Sequence, residues 1–302
     1  MKSVVERAPW TQPRLKAPSR AILGERVRQS VSRHARTSNE AARRSKLDNA
    51  TACFIQPRKE RVIMRTIGLL GGMSWESTES YYRALNEGVK QALGGFHSAK
   101  IAMVSVDFAE IETLQRDGRW DAAGEALAAA ARQIEHAGAD FLLIATNTMH
   151  KVAPQVEAAI DIPLLHIADA TAESLVADGI TRVGLLGTRF TMEQDFYKHR
   201  LSEHYGIDVI VPDDTQRERV HRVIFEELCL GRIEAASREA FLAVIDALHA
   251  RGAQAVILGC TEIAMLIKAT DTQVPLYDTT ALHAQAAVKR ALSDTLLPED
   301  TP

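Results

Sequence analysis

Cysteine is scarce in this sequence: 302 residues carry three, Cys53, Cys229 and Cys260, with no CxxC pair and no zinc-type spacing. That excludes a disulfide-stapled mini-domain and makes a reducing, cytoplasmic setting the expectation. No apolar run reaches the ~18 residues of a membrane helix, so no membrane partner is expected. Glycine (17) and proline (10) are too few and too irregular for a collagen-like or low-complexity chain. No dinucleotide fingerprint or P-loop is present. The stretch Gly68-Leu69-Leu70-Gly71-Gly72 is not GxGxxG and lacks a following Lys-Ser/Thr, which disfavours a nucleotide cofactor. The ten histidines show no metal-ligand spacing; His150 and His166 read as structural or as lying behind a site. What remains is an ordinary globular composition, 46% hydrophobic and 25% charged, long enough for two compact domains.

The net charge of −3 conceals a division. Residues 1–63 hold 15 Lys+Arg against 5 Asp+Glu, and the remaining 239 hold 21 against 34, so a basic leader precedes an acidic body. The leader is rich in Arg and Ser and has no sustained apolar periodicity. Three readings stay open: a disordered extension, a start codon set too early (Met64 directly precedes the first strand), or a transit-like segment. No aromatic interleaving or motif supports nucleic-acid binding. A short tail, 297–302, closes the chain.

The body repeats itself. Arg182-Val183-Gly184-Leu185-Leu186-Gly187 echoes Thr66-Ile67-Gly68-Leu69-Leu70-Gly71, and the helical run 235–254 echoes 121–140. Gly138 and Gly252, at matching positions, are expected to end those helices. The strand-and-corner pattern AVILGCTEIA around Cys260 echoes FLLIATNTMH around Thr146, 114 residues earlier, and Val274-Pro275-Leu276 echoes Ile162-Pro163-Leu164. A period this long means a duplicated unit rather than a solenoid. Each half alternates short apolar strands with amphipathic helices; Tyr82, Leu85, Val89 and Leu93 are expected on one helical face. The fold class that follows is α/β, two similar doubly wound domains with parallel sheets facing each other.

In such sheets ligands gather at the carboxyl ends of the strands. Thr146 and Cys260 each stand where an apolar strand stops and a helix begins. Two such corners facing across a cleft suit a reaction with one acid–base group on each face of a carbon, as racemisation requires. A helix N-terminus is expected to lower the Cys260 pKa from about 8.5 toward neutrality. Thr146 is a poorer proton carrier unless a neighbour activates it, and otherwise reads as a helix cap. Asn147 and Thr148 read as caps or substrate donors, and Asp107 as a turn cap or an orienting carboxylate. Cys229, inside IFEELCL, reads as core; Cys53 has no role.

The strings IGLLGGMSWESTESYYRALNEG, SVDF, TNTMHKV, GCTEI and LGTRFTMEQDFYKHRL resemble the aspartate/glutamate racemase family over nearly all of 64–290, nearest its broad-specificity amino-acid racemase branch. The resemblance implies two pseudo-symmetric flavodoxin-like domains, 64–161 plus 274–296 and 162–273, with the active site in the interdomain cleft. It also implies pyridoxal-phosphate independence, no cofactor or metal, a small amino-acid substrate and a homodimer. Carried over by position, Cys260 is one acid–base residue and Thr146 replaces the opposing cysteine, as in the broad-specificity branch. Met73, Gln115, Asn147, Thr148, Thr261 and Glu262 match substrate-binding positions. Aspartate-specific members tend to carry a lysine near IFEELCLG, where this chain has Cys229 and Leu230, which favours a range of amino acids. A one-cysteine decarboxylase or isomerase on the same scaffold, and a non-catalytic amino-acid-binding protein, are the competing readings.

Overall fold

The computed structural model describes residues 63–293. The leader, apart from Ile63, and the tail at 297–302 lie outside the described residues, so the readings placed on them are not addressed by the fold. The described residues belong to one compact unit. Among them no helix is long and apolar enough to cross a membrane.

The first half runs β1 (Ile67–Gly71), α1 (Trp75–Leu93), β2 (Ile101–Ser105), α2 (Phe108–Arg116), α3 (Trp120–His136), β3 (Phe141–Ile144), α4 (Ala153–Glu157) and α5 (Ile167–Ala177). The second runs β4 (Arg182–Gly187), α6 (Arg189–Glu193), α7 (Asp195–Tyr205), β5 (Asp208–Ile210), α8 (Asp214–Glu226), α9 (Ala235–Ala250), β6 (Ala255–Gly259), α10 (Ile263–Leu266), β7 (Leu276–Asp278) and α11 (Thr279–Ala291). Every named strand pair is parallel, in the orders β2-β1-β3 and β5-β4-β6-β7. The all-apolar strands β1, β3 and β6 are buried along their length, as a sheet covered on both faces demands.

The duplication is visible in local chemistry. The chain leaves α3 through Gly138 (φ +86°) and α9 through Gly252 (φ +95°). In both, the next residue's N–H reaches back into the last turn, Ala139 to the Ile134 carbonyl and Ala253 to that of Leu248. This closure needs the left-handed backbone that glycine adopts freely. Helix α1 starts at Ser74, whose hydroxyl accepts from the Ser77 N–H. Its inward face is Tyr81, Leu85 and Val89, each fully buried; Tyr82, expected on that face, is 52% exposed. A 3.6-residue repeat admits either tyrosine, and the core took the one whose hydroxyl finds a partner, the ring nitrogen Nδ1 of His283 at 2.8 Å.

The expected division of the chain is displaced at both crossovers. Leu164 bridges Leu142 in parallel, so the segment at 162–165 extends the first sheet rather than opening the second domain. Likewise β7 pairs with β6 in the second sheet and does not return to the first. The helices that follow are exchanged instead. Helix α5 buries Ile167, Ala168, Ala172 and Leu175 against β4 and α7 of the second half. Helix α11 buries Ala284, Ala287 and Val288 against β1 and α1 of the first. Sheet membership follows backbone hydrogen bonds, Leu165 N–H to the Leu142 carbonyl and Val256 N–H to that of Pro275. Helix placement follows apolar faces, and the two need not agree.

Candidate active site

Strand β3 ends at Ile144 and β6 at Gly259, and both corners open onto one narrow cleft with about 20 Å³ of free space. Met73, Gln115, Thr146, Asn147, Thr148, Cys260 and Glu262 all line it. These are seven of the eight residues expected from the sequence. Thr261 stands behind the wall, its hydroxyl donating to Glu262 Oε2 at 2.6 Å. The lining also includes Phe108, Thr188, Ile224, Phe225 and Cys229, which the sequence reading did not place there. The register of the repeat could have revealed Thr188, since it lies 114 residues after Ser74 and Cys260 lies 114 after Thr146.

Glu262 is 2% exposed and gathers three donors. Its Oε1 accepts from Ser74 Oγ at 2.7 Å, and its Oε2 accepts from Thr261 and from Cys260 Sγ at 2.9 Å. Three of the carboxylate's roughly four acceptor sites are thus occupied, one of them by Cys260. Burial, then the Glu262 carboxylate and the nearby Cys229, pushes the Cys260 thiol well up from its ordinary value. This reverses the expected lowering. Helix α10 has only four residues, too short a stack of peptide dipoles to outweigh a buried carboxylate in contact. The resting group is therefore a thiol with a proton acceptor already in place.

Cys229 packs against the core of the second half, as expected, but not from within a helix. It lies on a 3-10 turn, Leu228–Leu230, after α8, and lines the cleft. Burial, then Glu262, then Glu76, pushes its thiol up as well.

At the other corner, among the described residues, the Thr146 hydroxyl makes no hydrogen bond within the chain, while its backbone carbonyl accepts from His150 Nδ1 at 2.8 Å. His150 Nε2 accepts from the Ile167 N–H, so both ring nitrogens have backbone partners in the neutral tautomer. Burial, with His166 and His283 beside it, holds the His150 pKa well below its usual value. His166 is lowered to about 2 and His283 to about 4, chiefly by burial. The histidines form a neutral structural cluster, and none can carry a proton for Thr146.

Asn147 is 2% exposed. Its amide donates to Thr279 Oγ1 at 2.9 Å, and that hydroxyl donates in turn to the Leu258 carbonyl. The bond order assigns the amide's orientation and leaves Asn147 Oδ1 buried without a partner, an acceptor that an ammonium group satisfies. Thr148 Oγ1 lies 3.0 Å from Thr188 Oγ1 and 3.4 Å from Thr191 Oγ1. Asp107 resolves as a cap, accepting from the Ala109 N–H at the start of α2. The glycine loop is likewise a turn: the Gly72 N–H donates to Thr78 Oγ1 at 2.7 Å, and a Cβ there would collide with the Val106 carbonyl. No group of three or more His, Cys, Asp or Glu side chains is placed to hold a metal among the described residues.

Residues 70–287 match the family described as Asp/Glu/Hydantoin racemase. Among curated proteins, the broad specificity amino-acid racemase RacX of Bacillus subtilis (strain 168) is 24% identical over 161 residues, 53% of this chain and 69% of that protein. A solved structure from Yersinia pestis, described as an Asp/Glu racemase, is 58% identical, with a TM-score of 0.71 over 76% of this chain and all of that one. An aspartate racemase homologue from Pyrococcus horikoshii OT3 is 34% identical, with a TM-score of 0.66 over 76% of this chain and 99% of that one.

Proposed function

Because this chain belongs to the Asp/Glu/hydantoin racemase family, we propose that it racemises amino acids of more than one kind by proton transfer at the α-carbon, with Cys260 and Thr146 on opposite faces and no pyridoxal phosphate. The observation that carries this reading is that both side chains line one cleft, from equivalent strand ends of the two sheets. The lining includes no lysine to form the Schiff base that pyridoxal phosphate needs.

The Cys260 thiol passes its proton to Glu262 Oε2, already 2.9 Å away. The thiolate then takes the α-proton from one face, and the resulting carbanion is spread into the substrate carboxylate. The Thr146 hydroxyl relays a proton to the other face, giving up its own as it takes one from solvent. Asn147 Oδ1 holds the ammonium group, and the hydroxyls of Thr148 and Thr188 face the carboxylate. The two arms are unequal: Cys260 has a carboxylate beside it, whereas no titratable group reloads Thr146. Racemisation has an equilibrium constant of one, so kcat/KM is the same in both directions. The inequality therefore emerges in kcat and KM separately.

The test is deuterium incorporation at the α-carbon in heavy water, followed for both enantiomers of a panel of amino acids without added cofactor. Incorporation with inversion for several of them supports the reading. Absence of exchange in every amino acid tested overturns it.

A further inference from the structure

Strand β2 is the outer edge of the first sheet, paired with β1 on one side only. The ladder fixes which backbone groups are spent. The Ile67 N–H donates to the Lys100 carbonyl and the Val106 N–H to that of Gly71. In a parallel ladder alternate residues turn both backbone groups to one neighbour, so Lys100, Ala102, Val104 and Val106 face β1. Ile101, Met103 and Ser105 present their N–H and C=O outward, and among the described residues none of the three has a further backbone partner. Natural proteins blunt such an edge with a charge, a proline or a bulge. The five residues Ile-Ala-Met-Val-Ser contain no charge and no proline, and their register with β1 is unbroken.

The flank of this edge is apolar as well. Helix α1 lies over the sheet with α11 on one side, where Gly88 meets Val288. On its other side Asn86 Oδ1 accepts from the Ala99 N–H at 3.1 Å, just before β2. Trp75 and Tyr82 share that stripe at helical spacing, and Trp75 is 67% exposed. Met103, on the same sheet face as Ile101, is 48% exposed, and Phe96, in the turn between α1 and β2, is fully exposed. With aromatic side chains of about 150–250 Å² each, these four residues offer about 500 Å² a protomer. Two protomers offer about 1,000 Å² before the strand edge is added, close to the ~1,200–2,000 Å² of a stable interface.

We propose that two copies of this chain pair through β2, antiparallel about a two-fold axis at Met103, joining their first sheets edge to edge. The outward groups are self-complementary in that register: Met103 meets the partner's Met103 and Ile101 meets the partner's Ser105, making about six backbone hydrogen bonds. Lys100 comes opposite the partner's Val106, one position from the partner's Asp107, so opposite charges meet at both ends of the ribbon. Trp75 stands at the carboxyl end of the strands, where Gly71 is level with Ser105, and Phe96 at the other end. The two-fold therefore brings Phe96 to the partner's Trp75 and the reverse, as an isologous interface requires. The resemblance to the racemase family implies a homodimer; the edge supplies its face, its register and its axis.

The experiment is sedimentation of the full chain at micromolar concentration, expected at twice the 33.2 kDa of one chain. Met103→Lys sets two like charges opposite each other at the axis and is expected to weaken dimerisation at least about tenfold, whereas Met103→Leu keeps it. Position is tested by oxidation, with the native chain as the background for its own cysteines. Met103→Cys is expected to give covalent dimers, because directly opposed residues have Cα atoms about 5.5 Å apart, within disulfide reach. Ser105→Cys, about 14 Å from its counterpart in this register, is expected to give none. A native monomer leaves the edge to the basic leader or to another protein and overturns the proposal. A dimer indifferent to Met103→Lys, or linked through Ser105→Cys and not through Met103→Cys, overturns it too. The cross-linking comparison decides the matter even if Met103→Lys fails to fold.

Discussion

Ser74 donates its hydroxyl proton to Glu262 at 2.7 Å, joining the loop after β1 to the corner after β6. The same bond recurs with the halves exchanged: Thr188, in the loop after β4, meets Thr148, at the corner after β3, at 3.0 Å. Each member of one pair lies 114 residues from its counterpart in the other. The duplicated framework is thus kept in detail while its chemistry has diverged. A carboxylate stands beside Cys260, and a threonine occupies the equivalent place beside Thr146.

That divergence separates exchange from inversion. Cys260→Ala removes the group that takes the α-proton on its face and is expected to lower both α-deuterium exchange and racemisation about 10²–10⁴-fold. Thr146→Ala leaves the Cys260–Glu262 pair intact. It is expected to abolish inversion while the substrate still exchanges its α-proton with retention. Isotope incorporation and chiral chromatography on the same samples distinguish the two. Equal loss of both signals in Thr146→Ala contradicts the division of labour.

Glu262→Gln keeps the side chain's shape but removes the group that accepts the Cys260 proton. We expect kcat to fall about 10²–10³-fold with a much smaller change in KM, because the proposed part of Glu262 is to take the Cys260 proton. Ser74→Ala leaves Glu262 Oε1 without its donor, and a loss of about tenfold is expected from that one bond. A KM effect larger than the kcat effect in Glu262→Gln returns it to the substrate-binding role first read from the sequence.

Acid sensitivity follows from the histidine cluster. His166 and His283 have folded pKa values of about 2 and about 4 against an ordinary 6.5, and His150 is lowered in the same direction. The unfolded chain therefore binds protons below pH 6.5 that the folded chain refuses, so stability is highest above that pH and falls as the pH drops toward the folded values. At pH 5.5 each group has lost about 1.4 kcal/mol, so the loss is about 3 kcal/mol from His166 and His283 together, and His150 adds to it. Urea unfolding between pH 7.5 and 5 is expected to show this decline, and His283→Gln is expected to make it shallower, with the His166 and His150 parts remaining. A flat profile between pH 7.5 and 5 contradicts the neutral assignment.

Particular residues show what could be read early. Parallel sheets, the paired corners at Thr146 and Cys260, and the glycine exits at Gly138 and Gly252 were all legible, because short apolar strands and helix ends leave local marks in sequence. Tyr82 was misplaced for Tyr81, because helical spacing allows two adjacent faces and only the His283 contact chooses between them. Cys229 read as core because IFEELCL looks like a continuous helix; the chain leaves α8 at Glu226 and turns the thiol onto the cleft wall.

The order of residues alone determined that this chain contains a doubled α/β unit and that a thiol and a hydroxyl occupy matching positions in it, since duplication and strand-end corners are properties of spacing. Only the tertiary structure decided that α5 and α11 change places between the halves, that Cys260 is held as a thiol against Glu262, and that Asn147 is left with an open acceptor. Those depend on which distant groups share a solvent-free space, and desolvation and hydrogen-bond pairing are settled by neighbours in space rather than along the chain.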